Sequence, residues 1–259
     1  MNWISDSTAK RVLANVVRDA VKEIPTIATI QFNMFKVTKT CRNLDDLIIK
    51  TKKFFKSNSI FFAYKTYNRE TRMMFVIPRF HEVGSSWELR CEIGMLRLTK
   101  NEFDIMATDD RLIFSGHALE RLFQRSNVLS WEQVKYNVTL AVEHYLVLGY
   151  SDYISKYKQL ILPTKDGAFI GVVTSNDDNG KVSIKTFYTD KPNDTKNRIW
   201  QAKQAVIGVV CHILKMTEDK KQYDWLFSSS FQQYVYPEVE KFLMVETPWL
   251  FKDYVRERS

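Results

Sequence analysis

Glycine and proline are scarce in this chain, 8 and 6 among 259 residues. That argues against a linker-rich or repeat-built protein, and no internal repeat is found. Cysteine is scarcer still: Cys41, Cys91 and Cys211 are far apart and odd in number. A disulfide framework is not expected, and buried thiols in a reducing compartment are the default. Long apolar runs are missing as well. The strongest, Ala205 to Leu214, is too short for a membrane span and is interrupted by His212. The N-terminal stretch carries no apolar segment of signal-peptide form. A soluble, cytoplasmic protein with no membrane partner is the expectation.

Chemical signatures are thin in the same way. The chain has no Gly-rich phosphate loop, no HExxH, no paired CxxC and no GxSxG. Four histidines without a cysteine cluster do not make a zinc site. Asp177–Asp178 falls in a polar loop where solvation accounts for it. Neither metal nor cofactor is therefore expected.

What the chain does have is aromatic and apolar material, with 17 Phe, 12 Tyr and 45% hydrophobic residues, enough to bury a core without a covalent staple. Its net charge of +8 is unevenly placed. Residues 1–60 carry 11 Lys/Arg against 5 Asp/Glu, a balance of +6, whereas residues 221–259 carry 5 against 6. A basic N-terminal quarter attracts polyanions, although such a charge also serves solubility.

Taken in order, residues 5–24 read as an amphipathic helix ended by Pro25. Thr26 to Thr38, rich in Ile, Phe and Val, reads as a strand. Asn43 opens a second helix, with Asp45 and Asp46 in its first turn and lysines towards its end. Ser59–Tyr67, Arg72–Phe80 and Trp87–Leu98 form an antiparallel meander. Thr99–Asp110 reads as a connector and Arg111–Phe114 as a short strand. Ser130 with Gln133 starts a helix in capping-box form that Gly149 stops. His144 inside it is read as a structural hydrogen-bonding residue. Two strands, Ala168–Thr174 and Lys181–Thr189, flank a hairpin signal at Asn179–Gly180. A long helix from Asp194 or Thr195 through Lys215 and an aromatic-rich tail from Glu218 complete the chain. The fold class expected is α+β, antiparallel sheets with flanking helices. A boundary near residues 99–112 divides an accessory or substrate-selecting N-terminal part, 1–110, from residues 111–259.

The stretch around which chemistry could be organised is Ser115 to Arg125, SGHALERLFQR. Ser115 caps a helix on which His117, Arg121 and Arg125 recur every four residues along one ridge. Leu119, Leu122 and Phe123 form a separate apolar face. The bland alternative is an ordinary solvated helix whose arginines pair with Glu120 or Glu132. The sharper one is a phosphate or catalytic site. RNA cleavage through its own 2′-hydroxyl needs a base, an acid and cations against the crowded phosphorane. Histidine serves the proton transfers and arginine the charge. Thr186 and Tyr188, two residues apart on the last strand, offer hydroxyls to one groove; Val182 and Ile184 are expected on the same face. Both hydroxyl residues also suit an ordinary strand.

The order FSGHALERLFQR, a helix, LILPTKDGAFIGVV and VSIKTFYT resembles the toxin-type ribonucleases of the broad barnase/RelE-like superfamily. The resemblance spans residues 113–189. It implies a barnase/RelE-like helix-plus-sheet core in the C-terminal half and metal-independent RNA cleavage through a 2′,3′-cyclic phosphate. On the matching positions, His117, Arg121 and Thr186 would be catalytic, joined by Tyr188. Arg125, Lys165 and Lys185 would contact the substrate. RNA and an immunity or antitoxin protein, or a phage or host factor, are the partners such a toxin or phage-conflict effector would have. Two departures stand out: the long stretch Ser130–Gln159 and about 110 unmatched N-terminal residues. A non-catalytic nucleic-acid-binding protein and a protein-interaction module are the competing readings.

Overall fold

A computed structural model describes residues 4–41, 43–67, 70–99, 102–149, 159–165, 167–174, 181–189 and 199–207. The hairpin expected at Asn179–Gly180, Cys211, His212, both ends of the helix expected from Asp194 or Thr195 through Lys215, and the tail from Glu218 lie outside the described residues. Its chain order is α1 (Asp6–Glu23), α2 (Ile27–Thr40), α3 (Leu44–Asn58), β1 (Phe61–Tyr67), β2 (Glu70–Val83), β3 (Ser86–Leu98) and β4 (Phe103–Phe114). α4 (Gly116–Ser126), α5 (Trp131–Gly149), β5 (Gln159–Pro163), β6 (Gly167–Val173) and β7 (Val182–Thr189) follow. Residues 199–207 are helical.

Among the described residues all seven strands join one curled sheet in the order β1-β2-β3-β4-β7-β6-β5. Every neighbouring pair is antiparallel except β4 and β7, which run parallel over Leu112–Phe114 and Val182–Ile184. A parallel pair needs a crossover between its strands, and here that crossover contains α4 and α5. The fold is mixed α+β with flanking helices. β4 covers the point between residues 110 and 111 at which the expected elements divide the chain, and strands from both sides share the sheet.

Side-chain alternation gives the sheet two apolar faces. On one, Met74, Val76, Leu89, Cys91, Leu112, Phe114, Phe169, Val182, Ile184 and Phe187 pack with α1, α4 and α5 as the main core. Phe169 sits edge-on to both Phe114 and Phe187, at 4.8 and 5.0 Å between centroids. A side chain of this size, fully removed from water, contributes about 1.5–3 kcal/mol. On the other face Met73, Phe75, Ile77, Leu96 and Leu98 meet α2 and α3. The two-residue turn between Val83 and Ser86 places Gly84 at φ +60°, where a side chain would be strained.

Helix starts follow local chemistry. Thr8, Asp46 and Ala118 donate their backbone N–H to the caps Ser5, Asn43 and Ser115. Ser130 and Gln133 close a reciprocal capping box at α5. His144 Nδ1 donates to the Leu140 carbonyl at 2.6 Å, and burial lowers its pKa.

Three sequence expectations need correction. Thr26 to Thr38 is helix, not strand: Thr26 caps α2, and Ile30 and Met34, four apart, are buried. Its threonines Thr38 and Thr40 bond back to the Met34 and Lys36 carbonyls, a helical use of residues that composition assigns to strands. β4 is far longer than Arg111–Phe114, because the edge of β3 pairs with it from Phe103 onward. On β7 the period of two breaks, with consequences for the site. No helix among the described residues is long and apolar enough to cross a membrane.

Candidate functional site

α4 is held by its apolar side. Ala118, Leu119, Leu122 and Phe123 are buried in the main core. At its start Gly116 lies so close to β3 that a Cβ would fall on the Ser86 hydroxyl and within 2.7 Å of the Trp87 carbonyl oxygen. At its end Asn127 takes the left-handed conformation, φ 53°, and stops the helix.

The opposite side of α4 carries the nitrogen-rich ridge. His117 is exposed and Arg121 half-buried. Arg121 Nε donates to His117 Nε2 in a long contact of 3.5 Å, so the lone pair on that ring nitrogen is the acceptor. Arg121 Nη1 donates to Gln124 Oε1 at 2.7 Å, and Gln124 Nε2 donates to Asp6 Oδ1 at 2.5 Å. The guanidinium is thereby tied, through Gln124, to the first residue of α1.

Arg125 has a different task. β4 pairs with β7 only up to Ile184, whose carbonyl accepts from Ser115 N–H at 3.1 Å. Beyond that point β7 has α4 for a neighbour. Arg125 Nη1 donates to the Phe187 carbonyl at 2.6 Å, and the Thr189 hydroxyl donates to the Arg125 carbonyl at 3.2 Å. Burial, then repulsion from Arg121, lowers the Arg125 pKa; an arginine stays cationic regardless. Its guanidinium serves a strand edge that would otherwise carry an unmet carbonyl.

Ile170 lies opposite Thr186, but Gly171 lies opposite Ile184, so Lys185 is the extra residue of a β-bulge. Val182, Ile184 and Phe187 consequently share the core face, and Thr186 and Tyr188 take the other. The expectation that Thr186 and Tyr188 face the same way as Val182 and Ile184 is corrected by this single bulge; that the two face alike is retained. The Thr186 hydroxyl makes no hydrogen bond with His117 or Arg121. Lys185 and Lys165 are both exposed, Lys165 in the turn between β5 and β6. The structure thus joins His117 to Arg121 and Arg125 to the β7 backbone.

Sequence reasoning overlooked a cluster on the sheet face opposite the main core. Arg79 and His81 of β2 lie across from Arg90 and Glu88 of β3, and Glu92 lies across from Asp110 of β4. Arg90 reaches Glu88 at 3.2 Å and Asp110 at 3.4 Å. Arg79 Nε stands 3.1 Å from Glu92 Oε2 without hydrogen-bond alignment, so the pair attracts as charges only. Burial raises the Glu92 pKa despite Arg79, and Asp110 adds to the rise. Two irregularities in the β3–β4 register flank Glu92. Thr186 and Tyr188 project from this same face. Alternating Glu88, Arg90 and Glu92 were visible in the sequence, but their closure on Arg79, His81 and Asp110 depends on register. No group of three or more His, Cys, Asp or Glu side chains suited to a metal occurs among the described residues.

No protein-family model matches the chain, and neither a curated protein nor a solved structure matches it significantly.

Proposed function

We propose that this chain is a metal-independent endoribonuclease that cleaves RNA through a 2′,3′-cyclic phosphate. The observation that carries the reading is the His117–Arg121 pair on the outer ridge of α4. As Arg121 Nε turns from the long contact to the phosphate, the freed Nε2 lone pair can take the 2′-hydroxyl proton, the cation can stabilise charge growing on the phosphorane, and the 5′-oxygen leaves with a proton from water. The Gln124–Asp6 chain restrains that cation before substrate arrives, which limits the entropy lost on binding. A barnase/RelE-like core over residues 113–189, a cytoplasmic toxin or phage-conflict role and an immunity partner belong to the same proposal.

A second reading moves the proton transfer to the charged sheet face. It is favoured by the bulge at Lys185, which turns Thr186 and Tyr188 towards the side bearing Arg79, Arg90 and Glu92. A carboxyl whose pKa is raised by burial suits general acid–base work nearer neutrality.

Both readings are tested by cleavage of a labelled total-RNA pool in EDTA, with melting temperatures matched between proteins. Under the first, His117→Ala lowers cleavage by roughly 10²–10⁴-fold and Arg121→Ala weakens cleavage and affinity together. Under the second, Glu92→Gln does the damage and His117→Ala is neutral. Absence of cleavage by the wild-type protein defeats both.

A further inference from the structure

β1 is one edge strand of the sheet, with three strands between it and β7. Beside it α3 leaves a cleft of about 510 Å³, lined among others by Lys52, Lys53, Ser59, Phe62 and Tyr64. The Lys52 ammonium lies 3.5 Å from the centre of the Tyr64 ring. Phe62 stacks beside Tyr64 at 6.0 Å, and Phe55 stacks on Phe62 at 5.8 Å, so three near-parallel rings end in a lysine. Neither Lys52 nor Lys53 forms an ion pair with a carboxylate among the described residues, whereas nearby Lys50 is taken by Asp46.

The pairing of lysine with an aromatic ring repeats on α2. Lys36 lies 4.3 Å over Phe32 and Lys39 lies 4.1 Å over Phe35. Those two phenylalanines are 57% and 50% exposed, unusual for rings of that size. Both helices, α2 and α3, belong to the most basic quarter of the chain, residues 1–60, with its balance of +6.

We infer that the α3–β1 cleft binds single-stranded nucleic acid. A base stacks on Tyr64 in the place held by the Lys52 ammonium, and Lys52 and Lys53 take the flanking phosphates. Stacking of a base on a phenol ring is the stronger interaction of the two, and the displaced ammonium gains a phosphate partner. A single strand is required because a duplex hides its base faces. An extended peptide adding to the β1 edge would meet two cations and a ring it has no use for, unless it were acidic.

This inference goes beyond cleavage at α4 and does not depend on it. It is therefore tested on the full chain carrying both His117→Ala and Glu92→Gln, so that the probe survives under either reading of the cleavage site. The probe is a labelled 20-nucleotide oligouridine, with an RNA duplex of equal length beside it, followed by fluorescence anisotropy between about 50 and 200 mM salt. Adding Lys52→Gln and Lys53→Gln should weaken single-strand binding about tenfold or more and make the salt slope shallower by about 1.4, roughly 0.7 per lysine. Tyr64→Leu should weaken binding and leave the slope alone. Lys10→Gln with Arg11→Gln, exposed on α1, removes the same charge elsewhere and should change affinity by less than about twofold. Melting temperatures matched to the parent exclude unfolding. Equal loss from the α1 control, equal affinity for the duplex, or unchanged binding by the Lys52/Lys53 variant would overturn the inference. So would saturable binding of an acidic extended peptide through these lysines without single-strand affinity.

Discussion

Arg125→Met separates a structural arginine from a substrate-binding one. The sequence places Arg125 on the ridge with His117 and Arg121 and assigns it to phosphate. In the structure its Nη1 is 2.6 Å from the Phe187 carbonyl, on the stretch of β7 that β4 no longer covers. Phe187 is fully buried, so water does not replace the lost donor. A hydrogen bond from a charged group contributes about 1.5–3 kcal/mol; the penalty for the stranded carbonyl is the same loss seen from its partner and is not added. Methionine keeps the apolar stem, leaving about 2 kcal/mol as the expected cost. For a domain near this size that lowers Tm by about 4–8 °C. Thermal and urea unfolding followed by circular dichroism measure it. Lys185→Met, on the exposed bulge, should stay within about 0.5 kcal/mol. An Arg125→Met protein of unchanged stability but weakened RNA affinity would refute the reasoning and return the residue to phosphate binding.

Two further outcomes follow from packing and charge. Gly94→Ala puts a methyl group into the Phe75 ring, which is itself buried and stacked 4.4 Å from Phe55. The urea midpoint should fall by the equivalent of about 1–3 kcal/mol with the m-value unchanged, and an unaltered midpoint would show that the second core has slack. The Glu92 carboxyl has its pKa raised above the ordinary 4.5 by burial, so folding disfavours its charged form. Its penalty is absent below the unfolded value, grows as pH rises from the unfolded value to the folded one, and stays at its full size above that. Glu92→Gln should therefore gain stability relative to wild type between pH 4 and pH 7, and urea titrations showing a constant or reversed difference would contradict the burial argument.

What the sequence determined on its own is what the chain decides over a few residues. Ser115 caps α4, Leu119, Leu122 and Phe123 face the core, and Asn127 ends the helix, all as the local pattern requires. Capping by Asn43 and the Ser130–Gln133 box follow from the same short-range hydrogen bonding. The β1–β2–β3 meander was legible because polar turns punctuate it. Tertiary structure decided the rest. α2 is a helix because Ile30 and Met34 find a core beside α3, whatever their propensity for strands. β4 reaches back to Phe103 because β3 pairs with it again across only the four residues 99–102, and the strand is completed by that pairing. Lys185 looks like any alternating residue until β6 pairs with one fewer residue, and only then do Thr186 and Tyr188 turn to the opposite face. The charged cluster arises from register in the same way: Arg79, Arg90 and Asp110 come from three strands, and a sheet's contacts are set by pairing between distant segments.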